Sequence, residues 1–295
     1  MSGDNVLLLG GGGFLGTALA RKLAAEGRQV YVLGRNAITA AKNVHFEQGS
    51  LDSPELLAKL LPLCGTVIHL ASATTPGNSA DHPVRELENL SPSLRLLDAL
   101  QSYPETHLIF FSSGGTLYGN PRRLPVQEDD PVAPLSYHGA GKAALEAFLH
   151  AFRTRGHAVT ILRPSNAYGP GQAHKSGFGL IRTMLEHARR GTPLEVWGDG
   201  ENVRDFIYVD DIAEACARFV ALPLDNGTYN LGSGRGYSIR QAQRVVELVT
   251  GAELKTVYHP ARGIDVREIV LDVSRLDMRL GWKPHTSLED GVRYT

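Results

Sequence analysis

The sequence has little cysteine, no excess of charge of either sign and no long apolar run. Cys64 and Cys216 are its only cysteines, too few for a disulfide framework, which favours a reducing cytoplasm. The 30 basic side chains are balanced by 31 acidic ones, so the basic excess typical of nucleic-acid binders is missing. No run reaches the roughly 18 apolar residues of a membrane span, and the start lacks the basic stretch of a signal peptide. We expect a cytoplasmic protein that binds neither nucleic acid nor membrane.

Several motifs of catalysis and metal binding are also missing. The sequence contains no zinc-ligand spacing, no phosphate loop of the P-loop type and no nucleophile elbow. His45, His157 and His174 have no partners at metal-ligand spacing, so no metal is expected. With 42% hydrophobic residues over 295 positions, the chain can build one large domain or two closely joined ones.

Glycine is abundant, with 32 residues or about 11% against a usual share of about 7%. Gly10, Gly13 and Gly16 recur at a spacing of three, directly after an apolar run and before leucines at helical spacing. Glycines at a strand-to-helix turn let the backbone approach a pyrophosphate, which then meets the unpaired N–H groups of the helix. The opening therefore predicts a dinucleotide-binding loop.

The end of the second predicted strand indicates which nicotinamide cofactor is used. An acidic side chain there would bind the adenosine ribose of NAD, but the strand ends at Leu33, Gly34 and Arg35. The Arg35 guanidinium could pair with the 2′-phosphate of NADP, which favours NADP over NAD. The alternative is a solvated surface arginine.

Further apolar runs alternate with helical stretches. Buried strands are predicted over 29–33, 66–70, 107–111 and 158–162. Helices are predicted over 84–100, 137–154, 178–190, 210–221 and 238–250. Buried strands separated by helices imply an α/β fold with a doubly wound parallel sheet covered on both faces.

Five later segments join the glycine loop in a recognisable order, at residues 69–73, 112–119, 163–171, 204–211 and 229–232. Together they resemble the extended short-chain dehydrogenase/reductase family, the NAD(P)-dependent nucleotide-sugar epimerases and dehydratases. The resemblance implies a Rossmann domain over 1–165 and about 203–232. It also implies a smaller C-terminal α/β substrate domain over about 166–202 and 233–295, with the sugar nucleotide in the cleft, and a homodimer formed through the helices near 84–100 and 137–154.

The resemblance also implies the binding residues. The positions expected to contact the cofactor are Gly10, Gly13, Phe14, Leu15, Gly16, Arg35, Leu51, Leu70, Ala71, Ser112 and Lys142. Asn166 matches a residue that binds the sugar nucleotide, and Arg204 and Arg262 match the arginines that hold its diphosphate, for which a guanidinium fork is suited. For Arg204 the alternative is a salt bridge to Asp205.

The catalytic set departs from the family pattern. The family uses a tyrosine four residues before a lysine on one helical face, and here His138 stands four before Lys142 while Tyr137 stands five before it. The position of the family's catalytic serine or threonine is held by Gly114, with Ser113 and Thr116 as the nearest hydroxyls.

Three interpretations of this departure remain open. In the first, His138 is the acid/base, because its reference pKa of about 6.5 suits proton exchange at neutral pH. In the second, the helix start is distorted and Tyr137 points into the site. In the third, the chain binds its ligand with slow turnover or none.

The resulting prediction is a nucleotide-diphosphate-sugar epimerase that works through transient oxidation at the sugar C4. A dehydratase would need a carboxylate pair where Gly115 and Thr116 stand. The alternatives are an NADPH-dependent reductase of nucleotide 4-keto-sugars and a cofactor- or sugar-nucleotide-binding protein with impaired catalysis.

Overall fold

The structure, a computed structural model, describes residues 4–36, 41–174 and 178–295. The strands of the described residues are β1 Val6–Leu9, β2 Val30–Gly34, β3 Val44–Gln48, β4 Thr66–His69, β5 His107–Phe111, β6 Val159–Pro164, β7 Asn166–Tyr168, β8 Leu194–Trp197, β9 Val203–Tyr208, β10 Thr228–Leu231, β11 Gly236–Ser238 and β12 Thr256–His259. The helices are α1 Phe14–Ala25, α2 Pro54–Leu60, α3 Leu87–Leu100, α4 Gly114–Leu117, α5 Tyr137–Arg153, α6 Leu180–Arg190, α7 Val209–Ala221, α8 Ile239–Thr250, α9 Ser274–Leu280 and α10 Leu288–Tyr294. Short 3₁₀ turns cover Leu61–Leu63 and Pro83–Glu86.

A seven-stranded sheet forms the framework, in the order β10-β6-β5-β4-β1-β2-β3. The pairs from β6 to β3 are parallel, with Leu8 of β1 in register with Val32 on one side and Ile68 on the other. The chain builds outward from β1 through β2 and β3, then returns to the opposite side of β1 as β4. The order therefore reverses between β1 and β4, and the carboxyl ends of strands at such a reversal form the usual ligand crevice of doubly wound folds.

The chain divides into two compact units, and the first comprises residues 1–112, 141–162 and 213–229. Its core is built from the apolar strands of the sheet and the inward faces of the helices, including Leu9, Val67, Phe110, Leu96 and Leu149, all at most 3% exposed. Such continuous apolar strands are typical of a parallel sheet buried on both faces.

The second unit comprises residues 113–140, 163–212 and 230–295. It contains a three-stranded sheet in the order β11-β9-β7 and a parallel pair, β12-β8. Asp205 on β9 is fully buried and accepts hydrogen bonds from Ser165 Oγ, Ser233 Oγ and the main-chain N–H groups of Ser233, Gly234 and Leu271. This carboxylate fastens three segments that are distant in sequence.

The α/β fold with a parallel sheet is confirmed, and the starts of two predicted helices need correction. The helix predicted over 178–190 begins at Leu180, because Gly179 adopts φ +77° and ends the preceding loop. The helix predicted over 84–100 starts as a 3₁₀ turn and becomes α-helical at Leu87. Strand β3 was not predicted, since its residues are only partly buried at the edge of the sheet. Within the described residues, no helix has the length and apolarity that crossing a membrane requires.

Candidate active site

The glycine loop between β1 and α1 is shaped by close backbone contacts. Gly10 adopts φ +82°, and its N–H donates to the Leu33 carbonyl at 2.9 Å. A Cβ at Gly10 would lie 2.7 Å from the backbone N and Cα of Ala71, and one at Gly16 would overlap the backbone of Gly11. Any side chain at either position would push the loop apart. The glycines therefore allow β1, α1 and the segment after β4 to approach one another.

Helix α1 begins at Phe14 with Gly13 as its N-cap. No side chain caps it, and its first turn has no acidic residue. Unpaired N–H groups and the positive end of the helix dipole are thus available to an anion at this terminus. Leu15 is half-buried beside them. The terminus fits the pyrophosphate of a dinucleotide.

A second group of cofactor candidates lies at the carboxyl ends of β4 and β5. The Leu70 N–H donates to the Leu9 carbonyl, which keeps residues 70 and 71 beside the glycine loop. Ser112 is buried directly after β5, and its Oγ has no hydrogen-bond partner among the described residues. A buried hydroxyl without a partner is costly unless a ligand or water satisfies it. The residues present therefore fit a dinucleotide at this end of the sheet.

Arg35 and Leu51 follow β2 and β3, the two strands at one edge of the same sheet. Arg35 is exposed at the end of β2, and its carbonyl accepts a weak hydrogen bond from Gln48 Nε2 at 3.4 Å. Leu51 is half-buried after β3, against the apolar core. The guanidinium of Arg35 is thus accessible at the strand end where an adenosine ribose would bind. The segment that follows includes residues outside the described ranges.

Lys142 lies on α5 and is only 7% exposed. Its Nζ donates to the Phe111 carbonyl at 2.9 Å and lies 4.9 Å from the centre of the Phe110 ring. Burial lowers the pKa of Lys142 to about 8, against the opposing charges of Glu86 and Glu146. With a pKa of about 8, Lys142 is mostly a protonated ammonium at neutral pH and loses this charge in the mildly alkaline range.

The start of α5 is regular. Ser136 Oγ accepts from the Gly139 N–H at 3.2 Å, and the Ser136 carbonyl accepts from the Ala140 N–H at 3.0 Å. On this undistorted turn His138 is 8% exposed, whereas Tyr137 is 45% exposed. The imidazole thus shares the buried face of Lys142, one turn away, and the phenol points outward.

The hydroxyls of Ser113 and Thr116 form a pair. Thr116 Oγ1 donates to Ser113 Oγ at 2.9 Å across the single turn of α4. A Cβ at Gly139 would lie 2.6 Å from the Thr116 carbonyl oxygen, so the backbone of α4 packs directly on the first turn of α5. This contact brings the hydroxyl pair to the turn that carries His138.

Gly114 does not leave an empty space into which a serine side chain would fit. A Cβ there would lie 2.6 Å from Leu271 Cδ1 and 2.8 Å from the Arg163 carbonyl oxygen. A Cβ at the neighbouring Gly115 would lie 2.8 Å from Asn166 Oδ1. The space beside Gly114 and Gly115 is filled by other residues, and Asn166 Oδ1 lies against the α4 backbone at Gly115.

The two candidate diphosphate arginines differ in how they are engaged. Arg204 on β9 is half-buried and donates from Nη1 to the Val203 carbonyl, while Asp205 is occupied by the partners named above. Burial lowers the pKa of Arg204, and the charge of Asp265 raises it. Arg262 forms a two-pronged ion pair with Asp265 at 2.8 and 3.1 Å. Arg204 therefore has donors available for an anion, and Asp265 is close enough to act on both arginines.

Arg262 also stacks on an aromatic pair formed by Trp197 and His259. Its guanidinium lies 4.5 Å from the centre of the Trp197 ring, which itself stacks on His259 at 5.2 Å. The parallel pairing of β8 and β12 places these two rings opposite each other. A flat cationic and aromatic surface results.

Reversal of strand order, the glycine loop and the buried lysine together define a Rossmann-type protein whose glycine loop fits a dinucleotide. A family model described as the NAD dependent epimerase/dehydratase family matches residues 6–232, and the chain belongs to this family of enzymes. The UDP-glucose 4-epimerase of Mycolicibacterium smegmatis is 30% identical, over 98% of this chain and 96% of that protein.

Two solved structures are similar over nearly the whole chain. The UDP-glucose 4-epimerase of Thermotoga maritima with UDP-glucose superimposes with a TM-score of 0.92 at 34% identity, covering 99% of this chain and 97% of that one. The UDP-glucose 4-epimerase of Thermus thermophilus with NAD gives a TM-score of 0.90 at 32% identity, with the same coverage.

Proposed function

We propose that this protein is an NAD(P)-dependent nucleotide-diphosphate-sugar 4-epimerase. Its first unit holds the cofactor and its second unit holds the sugar nucleotide. Family membership and full-length similarity to 4-epimerases support the reaction class. The single observation that supports turnover most strongly is the buried His138 one turn from Lys142, where the family pattern has a tyrosine.

His138 is the acid/base in this proposal. A bound nicotinamide supplies the reversible oxidation at the sugar C4. The His138 imidazole takes the proton of the C4 hydroxyl as that carbon is oxidised, and returns it after the keto-sugar has presented its other face. The paired hydroxyls of Ser113 and Thr116 hydrogen-bond the same sugar oxygen, in place of the serine that Gly114 cannot supply. Lys142 binds the cofactor ribose.

The diphosphate is bound by Arg204 and Arg262. Arg204 contributes a half-buried guanidinium with donors to spare, and Arg262 contributes a second one oriented by Asp265 and Trp197. Asn166 binds the sugar nucleotide from β7. Charge-assisted hydrogen bonds of this kind are about twice as strong as neutral ones, so these residues anchor the substrate and leave the sugar free to turn.

The cofactor is NAD or NADP, and Arg35 makes NADP acceptable. Similar structures contain NAD, but the exposed guanidinium at the end of β2 replaces the acidic residue that favours NAD. Titration of both cofactors into the protein and into an Arg35→Ala variant tests this assignment. NADP affinity should fall more than NAD affinity, and equal losses would contradict the role of Arg35.

We also propose a cytoplasmic homodimer assembled through α3 and α5. Leu87 and Phe148 are large apolar side chains exposed on these two helices. Light scattering on the purified protein should give twice the mass of the 31.9 kDa chain, and a Phe148→Asp variant should shift the mass toward the monomer.

Incubation with NAD or NADP and a panel of UDP- and dTDP-sugars, followed by NMR, tests the function as a whole. Inversion at C4 without net consumption of cofactor is expected. Net consumption of NADPH would indicate the reductase instead, and saturable binding without either change would indicate a binding protein.

A further inference from the structure

A buried carboxylate of the first unit lies against the helix that carries Lys142. Glu86, in the 3₁₀ turn before α3, is only 6% exposed. Its Oε2 accepts from Thr74 Oγ1 at 3.0 Å and from Asn89 Nδ2 at 3.1 Å. Its Oε1 is buried and has no hydrogen-bond partner among the described residues. A buried carboxylate oxygen left in this state needs a nearby positive charge to compensate for lost hydration.

Gly141 creates the space that Glu86 occupies. A Cβ at Gly141 would lie 2.6 Å from Glu86 Oε2 and 3.2 Å from its carboxyl carbon. Glycine inside a helix is unfavourable relative to alanine, and Gly141 lies within α5, directly before Lys142. An unfavourable residue at this place is explained by the carboxylate that it admits.

We propose that Glu86 is a positioning residue for Lys142, and that Gly141 is required because it leaves room for the Glu86 carboxylate against α5, at the residue next to the lysine. The proposal rests on the proposed function, in which the Lys142 ammonium binds the cofactor ribose. Glu86 does not touch the cofactor or the sugar in this assignment. It acts through its charge, which favours the protonated lysine.

The surroundings of Lys142 leave Glu86 as the group best placed for this role. Glu146 and His138 are on α5 itself, Glu86 approaches from the turn before α3, and His69 is on β4. The His69 ring is held neutral, because burial and the charge of Lys142 lower its pKa to about 3. Of the two carboxylates, only Glu86 is buried, and a charge is less screened in a buried position.

Asn89 and Thr74 hold the carboxylate in place. The Asn89 amide donates to Thr74 Oγ1 at 2.7 Å as well as to Glu86, and its Oδ1 accepts from the Ala73 N–H at 2.7 Å. These bonds fix Glu86 without neutralising it. A glutamine at position 86 would keep the two hydrogen bonds to its carbonyl oxygen and remove only the charge.

The test measures the lysine directly in the protein without cofactor. Side-chain ¹³C-lysine NMR over a pH series gives the pKa of Lys142, with its signal assigned by loss in Lys142→Arg. Glu86→Gln should lower this pKa by about one unit, because an opposite charge at short range shifts a pKa by that order. The matched control is Glu88→Gln, which removes an exposed carboxylate two residues away and should leave the pKa of Lys142 unchanged.

Gly141→Ala provides an independent variant that leaves Glu86 chemically intact. The added methyl group displaces the flexible end of Glu86, so the pKa of Lys142 should fall in the same direction. In the double variant Glu86→Gln/Gly141→Ala the shift should equal that of Glu86→Gln alone. Additive shifts, or a pKa unchanged in either single variant, would overturn the proposal.

Cofactor binding adds a second readout. The alkaline loss of NAD affinity should begin about one pH unit lower in Glu86→Gln than in the wild type, with affinity at mildly acidic pH largely kept. An identical pH dependence would contradict the role of Glu86. Neither measurement uses a sugar, so a failure of the epimerase assignment would appear as absent turnover while the lysine pKa still decides on Glu86.

Discussion

At the scale of single residues, the question is which side chain can act as the acid/base in the candidate active site. The sequence left His138, Tyr137 and loss of function as open alternatives. The regular first turn of α5 separates the two side chains, with His138 buried and Tyr137 half exposed. An acid/base must reach the proton that it transfers, so burial on the face of Lys142 favours the imidazole.

Replacement of His138 by alanine should lower kcat by roughly 10²-fold or more, the usual contribution of a general acid/base. Tyr137→Phe is the matched control, since it alters the neighbouring side chain on the exposed face and should leave kcat unchanged. Steady-state rates of C4 inversion measure both. A loss confined to Tyr137→Phe would transfer the role to the tyrosine, and a large gain in His138→Tyr would show that the natural site is impaired.

Gly114 offers a second prediction at this scale. Gly114→Ser should not raise activity, because its Cβ would meet Leu271 and the backbone carbonyl of Arg163. Overpacking of this kind costs about 1–3 kcal/mol, visible as a lower urea midpoint. Gly263→Ser is the stability control, since a Cβ at Gly263 has nothing within 4 Å. A Gly114→Ser enzyme that is stable and faster would show that the missing hydroxyl limits turnover.

At the scale of helices and strands, the elements that could be predicted are those marked by a pattern within a short stretch of sequence. The glycine loop, β1, β4, β5 and most of α5 follow from apolar runs and helical spacing. Their alternation predicted the α/β fold, and the family resemblance added the division into two domains. Strand β3 was missed because its half-buried residues lack a continuous apolar run. The approach of Glu86 to Gly141 could not be predicted, since it joins residues 55 positions apart and no periodicity links them.

The glycine loop can be tested as an element with two alanine variants. Gly10 and Gly27 adopt nearly the same conformation, at φ +82° and +84°, but only Gly10 is packed against another segment. Gly27→Ala should cost about 1 kcal/mol from backbone strain and leave NAD affinity unchanged. Gly10→Ala should cost more and also weaken NAD binding, because the loop must move away from Ala71. Equal effects on NAD affinity would show that the close approach at Gly10 is unimportant for the cofactor.

At the scale of the whole molecule, buried ionisable groups set how stability responds to acid. Burial lowers the pKa of His69 to about 3 and that of His107 to about 4. Both are in the first unit. In the second unit burial raises the pKa values of Asp205 and Glu128. A carboxyl that binds a proton more readily in the folded state makes the folded protein more stable as the pH falls. A histidine that resists protonation in the folded state makes the folded protein less stable as the pH falls.

The histidines should make the protein lose stability as the pH falls from about 6.5 toward 4. Above pH 6.5 both rings are neutral in the folded and unfolded chain, so they contribute no pH dependence. Below it the unfolded chain takes up protons that the folded chain refuses, which costs about 1.4 kcal/mol per pH unit for each ring. Urea unfolding followed by far-UV circular dichroism should therefore give a flatter pH dependence in His107→Gln, which can keep a hydrogen bond to Thr160. The exposed His150→Gln is the comparison variant, and a slope unchanged in His107→Gln would show that this ring takes up protons equally in the folded and unfolded chains.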